Sequence, residues 1–104
     1  MPLELEALKK RILENPFVDR LRIEMRVDEA AYEELSAMLT DLAAALRGVP
    51  LIDKELALVL YSIPQTVSNA MMSFDGHSPK PAIAGRLEDA WVELDALVLD
   101  CLSA

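Results

Sequence analysis

The sequence predicts a small, mainly α bundle of about four helices, folded as a single domain over residues 1–104. Three observations lead there. Apolar residues make up 53% of the chain and charged residues 27%, a balance that folds where a disordered chain would lack apolar side chains. Apolar positions recur at spacings of three and four over several long segments. Asn15-Pro16, Gly48 with Pro50, and the stretch Asp75 to Pro81 divide those segments at residues that end helices. A chain of this length buries roughly two thirds of its unfolded surface in one core and leaves no room for a second.

The first helix starts at Pro2 or Leu3 and reaches Glu14, with Leu5, Leu8 and Ile12 on one face and Glu6 four residues before Lys10. Residues before proline avoid the helical region, so Asn15-Pro16 ends it. Residues 21–27 then alternate apolar and charged side chains, the period-two pattern of one short strand with a buried face. An extended connector or a helical turn is the alternative there. A lone strand needs a backbone partner: a second strand, a ligand peptide or the same segment of a second subunit.

Asp28 is positioned to cap the next helix, Val27 to staple onto Tyr32, and Leu35, Leu39, Leu42 and Leu46 supply its buried stripe. Gly48 suits a left-handed C-terminal residue, and Pro50 prevents continuation. A third helix caps at Asp53 and buries Leu56, Leu60, Ile63, Val67, Ala70 and Phe74, with Pro64 expected to kink it. A strand over residues 56–63 is the competing expectation. Between Glu55 and Asp75 no charged residue occurs, which places this helix either at the centre of the bundle or at an oligomer interface. Pro64, Gln65, Thr66, Ser68 and Asn69 interrupt the stretch too strongly for a membrane span.

Ser78-Pro79 suits the opening of a fourth helix whose stripe is Ile83, Leu87, Ala90 or Trp91, Leu94, Val98 and Cys101. Gly85 costs about 1 kcal/mol in such a helix relative to alanine, which implies close packing or a helix that begins at Arg86.

Chemistry is hard to assemble from these residues. One histidine, His77, and one cysteine, Cys101, cannot form a zinc site of the usual type within the chain, so no metal or cofactor is expected. A metal shared between subunits through His77 is the alternative to a solvated loop residue. Cys101 falls on an apolar stripe without a nearby cation to stabilise a thiolate, and packing explains it better than reactivity. Three glycines, Gly48, Gly76 and Gly85, spell neither a phosphate loop nor a nucleophile elbow. Adjacent acids such as Glu33-Glu34 and Glu88-Asp89 point different ways on a helix, and a divalent ion bound by Asp89 and Glu93 would need several further oxygens.

The formal net charge is −8, and residues 27–104 hold thirteen acidic against four basic groups. Such a surface repels nucleic-acid backbones. The expected function is therefore a non-enzymatic interaction module: an acidic adaptor, inhibitor or immunity-like protein that binds another, basic protein. Glu29, Glu33, Glu88, Glu93 and Asp95 are the candidate contact acids. Tyr61, Gln65 and Asn69, spaced by four on the uncharged helix, are the candidate neutral contacts, unless they are simply polar groups that meet water. The alternatives are a homodimer through residues 21–27 or 56–74, and a ligand-binding or enzymatic bundle with a pocket near Pro64 that also uses His77. A single cysteine and an N-terminus without an unbroken apolar run make the cytoplasm the expected location, with no membrane segment.

Overall fold

Asn15-Pro16 both ends one helix and begins another. In the computed structural model, which describes residues 3–103, α1 (Leu3–Glu14) stops there and α2 (Phe17–Glu24) starts at once. Pro2, one of the two expected starting points, lies outside the described residues. The Asn15 side chain makes the junction: Oδ1 accepts from the Phe17 amide at 2.9 Å, and Nδ2 donates to the Ala31 carbonyl at 3.1 Å. An asparagine thus caps the first free amide of α2 in place of a residue at the formal cap, Pro16, which makes no side-chain cap bond.

The strand expected at residues 21–27 is not formed. Phe17 and Leu21, one turn apart, are both fully buried, and α2 packs that face on the bundle. The same phase turns Ile23 outward, where it is 76% exposed. No strand occurs among the described residues, so a strand here would have had no backbone partner within the chain, whereas a helix satisfies its own amides. Met25 closes α2 in the left-handed region at φ 50°, and its amide bonds to the Leu21 carbonyl. Residues other than glycine rarely take that conformation, which is why no punctuation marked the end of α2.

α3 (Glu29–Ala45) begins as expected, with Asp28 accepting from the Ala31 amide and Arg20 pairing with the same carboxylate. Gly48, at φ 75°, follows its end in the left-handed conformation expected of it. α4 (Lys54–Met72) is capped by Asp53, which accepts from the Leu56 amide at 2.7 Å. It is a helix over residues 56–63, not a strand, and it continues through Pro64 as one element. Ser62 and Thr66 hydroxyls bond back to the carbonyls of Val59 and Ser62 on either side of the proline. Phe74 lies beyond the end of α4 and is half-buried against the core.

α5 (Ala82–Leu102) starts neither at Ser78-Pro79 nor at Arg86. Pro81 takes the cap position in extended conformation, so Gly85 sits in the first turn. Close packing does not explain that glycine either, because a Cβ there would meet nothing within 4 Å. Gly85→Ala is therefore expected to stabilise the fold by about 0.5–1 kcal/mol, through helix propensity and a less flexible unfolded chain. An unfolding midpoint equal to or below that of the wild type would contradict this placement.

The helices form four pillars. α5 packs on both α3 and α4, α1 packs on α3, and α2 lies against α4 and touches α3. α1 and α2, joined at Asn15-Pro16, together complete the fourth side of the bundle. Lys9 fastens α1 to the start of α4 through Asp53 at 3.2 Å and Glu55 at 2.8 Å. One apolar cluster joins all five helices, and among the described residues no polar or charged residue is buried within it. Cys101 belongs to that cluster, with its thiol donating to the Leu39 carbonyl at 3.3 Å. Burial pushes its pKa up to about 11, in line with a packing role.

Candidate interaction surfaces

The net charge of this protein comes from two neighbouring helices. α3 carries Glu29, Glu33, Glu34 and Asp41 without a basic residue, and α5 carries Glu88, Asp89, Glu93, Asp95 and Asp100 with only Arg86. Nine carboxylates against one guanidinium amount to the entire net charge of −8, so the rest of the chain is balanced. α3 and α5 pack side by side, so the imbalance is concentrated on one pair of neighbouring helices, with Glu88 turned toward the cleft with α4 and Asp41 toward α1. A concentrated negative face with low-dielectric protein behind it steers positively charged partners.

Two of the expected contact acids are engaged inside this face. Arg86 reaches across from α5, donating from Nε and Nη2 to the two Glu29 carboxylate oxygens at 2.9 and 2.7 Å. Its guanidinium carbon lies 4.5 Å from the centre of the Tyr32 ring, a cation–π arrangement. The Tyr32 hydroxyl in turn donates to Glu93 Oε1 at 2.7 Å, and the Ser36 hydroxyl is 3.4 Å from the same oxygen. The fully buried Phe17 packs against the Tyr32 ring in a tilted arrangement, 5.5 Å between centroids and 54° between planes. Glu29 and Glu93 therefore hold α3 in register with α5.

The electrostatics follow from this geometry. The Arg86 hydrogen bond holds the Glu29 carboxyl below its ordinary value despite partial burial. Burial, followed by the bond to Glu93, pushes the Tyr32 hydroxyl up to about 12. The folded value lies above the ordinary 10.0, so the stability contributed by this group is complete below pH 10 and lost as pH rises through about 12. In a Tyr61→Phe variant Tyr32 is the single tyrosine, and its phenolate absorbance is expected to rise with a midpoint near pH 12. A midpoint at the ordinary tyrosine value would mean that Tyr32 is neither buried nor bonded to Glu93 in solution.

Glu33 and Asp89 are exposed and make no ion pair among the described residues, and each lies one helical turn from a member of this network, Glu33 from Glu29 and Asp89 from Glu93. Glu88 instead lines an open cleft between α4 and α5, with Met71, Lys80 and Trp91, and Asp95 is half-buried one heptad further along. The five acids read from the sequence thus fall on two sides of α5. Arg86 and Tyr32 were not among the candidate residues. Their signal was present: Arg86 is the single base on a helix with five acids, and Tyr32 has a hydroxyl to satisfy at an apolar position.

Tyr61, Gln65 and Asn69 do share a stripe, on the outer face of α4. All three are exposed, and Gln65 Nε2 donates to Asn69 Oδ1 at 3.2 Å. Leu58 and Met72 extend the stripe at either end, 67% and 51% exposed. α4 is therefore not the centre of the bundle. Its lack of charge leaves an uncharged surface facing outward, opposite in character to the α3–α5 face.

Several clefts indent the surface. In five well-defined ones neither Pro64, Tyr61 nor Gln65 forms a wall, and Asn69 joins Leu21, Met25, Thr66 and Ser73 between α2 and α4. His77 is exposed in the loop before α5, edge-on to Phe74. Among the described residues no three His, Cys, Asp or Glu side chains group as metal ligands, and no helix is long and apolar enough to cross a membrane. No protein-family model, curated protein or solved structure matches this chain.

Proposed function

We propose that this chain is a non-enzymatic protein–protein interaction module, of the adaptor, inhibitor or immunity-like kind, which presents its α3–α5 face to a basic partner protein. One observation carries the reading: the whole net charge of the molecule resides on those two adjacent helices. Glu33 and Asp89 are the contact acids, while Glu29 and Glu93 support the surface from within. Complementary charge of this kind accelerates encounter and selects against acidic partners more than it adds raw affinity.

The test is affinity capture from the native lysate with the wild type and with a Glu33→Lys, Asp89→Lys double variant. Both sites are exposed, so folding is expected to be unchanged by circular dichroism. The wild type is expected to enrich a basic protein that is released as the screening length falls to ~3 Å at about 1 M salt. The variant is expected to lose it. Identical capture by both proteins, or the absence of any salt-sensitive partner, overturns the proposal.

A further inference from the structure

We infer that the outer face of α4 is a homodimer interface, on which a second copy of this chain docks antiparallel about a two-fold axis at Gln65. The exposed stripe is Leu58, Tyr61, Gln65, Asn69 and Met72. Counted outward from Gln65, the offsets are four and seven residues on both sides. A two-fold axis through Gln65 consequently sets Leu58 opposite Met72, Tyr61 opposite Asn69, and Gln65 opposite itself. Each pairing is chemically compatible: apolar with apolar, phenol with amide, and amide with amide, which both donates and accepts. Isologous interfaces require this self-complementarity.

Charge selects the same face and the same occupant. Two copies carrying −8 each repel through α3 and α5, whereas α4 carries only Lys54 and Glu55, and α2 balances Asp19 and Glu24 with Arg20 and Arg22. A copy of the chain therefore approaches at least cost over α4. At the ends of the stripe, Lys54 opens α4 and Asp75 lies in the turn just past its end, so the two-fold sets the end of one copy that carries the ammonium beside the end of the other that carries the carboxylate. Within its own chain Asp75 is held only loosely, 3.6 Å from Lys80 on the exposed surface. The stripe extends over about 21 Å of helix at 1.5 Å per residue. Its five side chains are few beside the roughly 20–30 residues that each partner of a standard interface contributes, so the dimer is weak and exchanges with monomer. This inference is independent of the acidic-face reading.

Sedimentation equilibrium from micromolar to millimolar concentration tests it, on the wild type, Gln65→Lys, Gln65→Glu and an equimolar mixture of the two variants. The wild type is expected to dimerise. Each variant alone places like charges on the axis and is expected to weaken association roughly tenfold or more. The mixture is expected to recover a heterodimer, because only a contact of residue 65 with its own counterpart turns two repulsive variants into an attractive pair. Unchanged unfolding midpoints establish that the variants are folded, and Glu33→Lys with Asp89→Lys, which lie on α3 and α5 and outside the stripe, is expected to leave dimerisation intact. A wild type that stays monomeric to millimolar concentration, an assembly larger than a dimer, a dimer indifferent to Gln65→Lys, or variants that the mixture fails to rescue would each overturn it.

Discussion

Leu94→Ala and Leu60→Ala are each expected to destabilise the fold by about 2–5 kcal/mol, the range for removing a buried leucine side chain and leaving a cavity. Both residues are 0% exposed, on helices that pack directly on one another. For a domain near one hundred residues each kcal/mol lowers Tm by roughly 4–8 °C, so either change removes much of a typical domain's stability. The informative control is Leu58→Ala. Leu58 is only two residues from Leu60 but 67% exposed, and its truncation is expected to stay within about 0.5 kcal/mol of neutral. Thermal or urea unfolding of the two variants reads the rotational phase of α4. Equal effects would mean that α4 is turned differently from the arrangement described above.

Arg86→Ala is expected to have the next largest effect, about 0.7–2 kcal/mol. Two contacts are lost at once: a cation–π contact worth about 0.5–1 kcal/mol and a partly exposed carboxylate pair worth about 0.2–1 kcal/mol. Glu29 remains accessible to water after the loss, so no stranded buried charge enlarges the penalty. Arg86→Lys is expected to recover little, because an ammonium neither grips both Glu29 oxygens nor stacks on the Tyr32 ring. A double-mutant cycle of Arg86→Ala with Glu29→Gln separates the pair from the stacking contribution. An unfolding midpoint that does not move on Arg86→Ala would show that the network seen between α3 and α5 is not held in solution.

Sequence patterns recover those elements whose ends carry side-chain signals. Asp28 and Asp53 cap α3 and α4 as their positions imply, and the leucine spacing identifies the buried faces of both. α2 was misread because neither end is marked in the usual way. Pro16 takes its cap position, Met25 ends it in a left-handed conformation, and the alternation Leu21, Ile23, Met25 imitates a strand where residues 21–24 adopt the alternative, helical turn. The start of α5 was misplaced for a related reason: Ser78-Pro79 has the composition of a helix opening, but the chain remains irregular to Pro81. A local pattern shows what a segment could do, and the packing partner selects the outcome.

Composition and periodicity by themselves determined that this protein is a helical bundle, that Leu56, Leu60, Leu87 and Leu94 are core, that its charge is strongly negative, and that one helix lacks charge beyond its first turn. These are properties of single residues and their spacing, and spacing survives folding unchanged. Tertiary structure alone decided that the excess charge gathers on one pair of helices, that Glu29 and Glu93 are tied to Arg86 and Tyr32, and that the uncharged helix turns Tyr61, Gln65 and Asn69 outward. Each depends on contacts between residues far apart in the chain, such as Glu29 with Arg86 and Tyr32 with Glu93. The sequence names the residues, but only the packing of α5 against α3 brings them within reach.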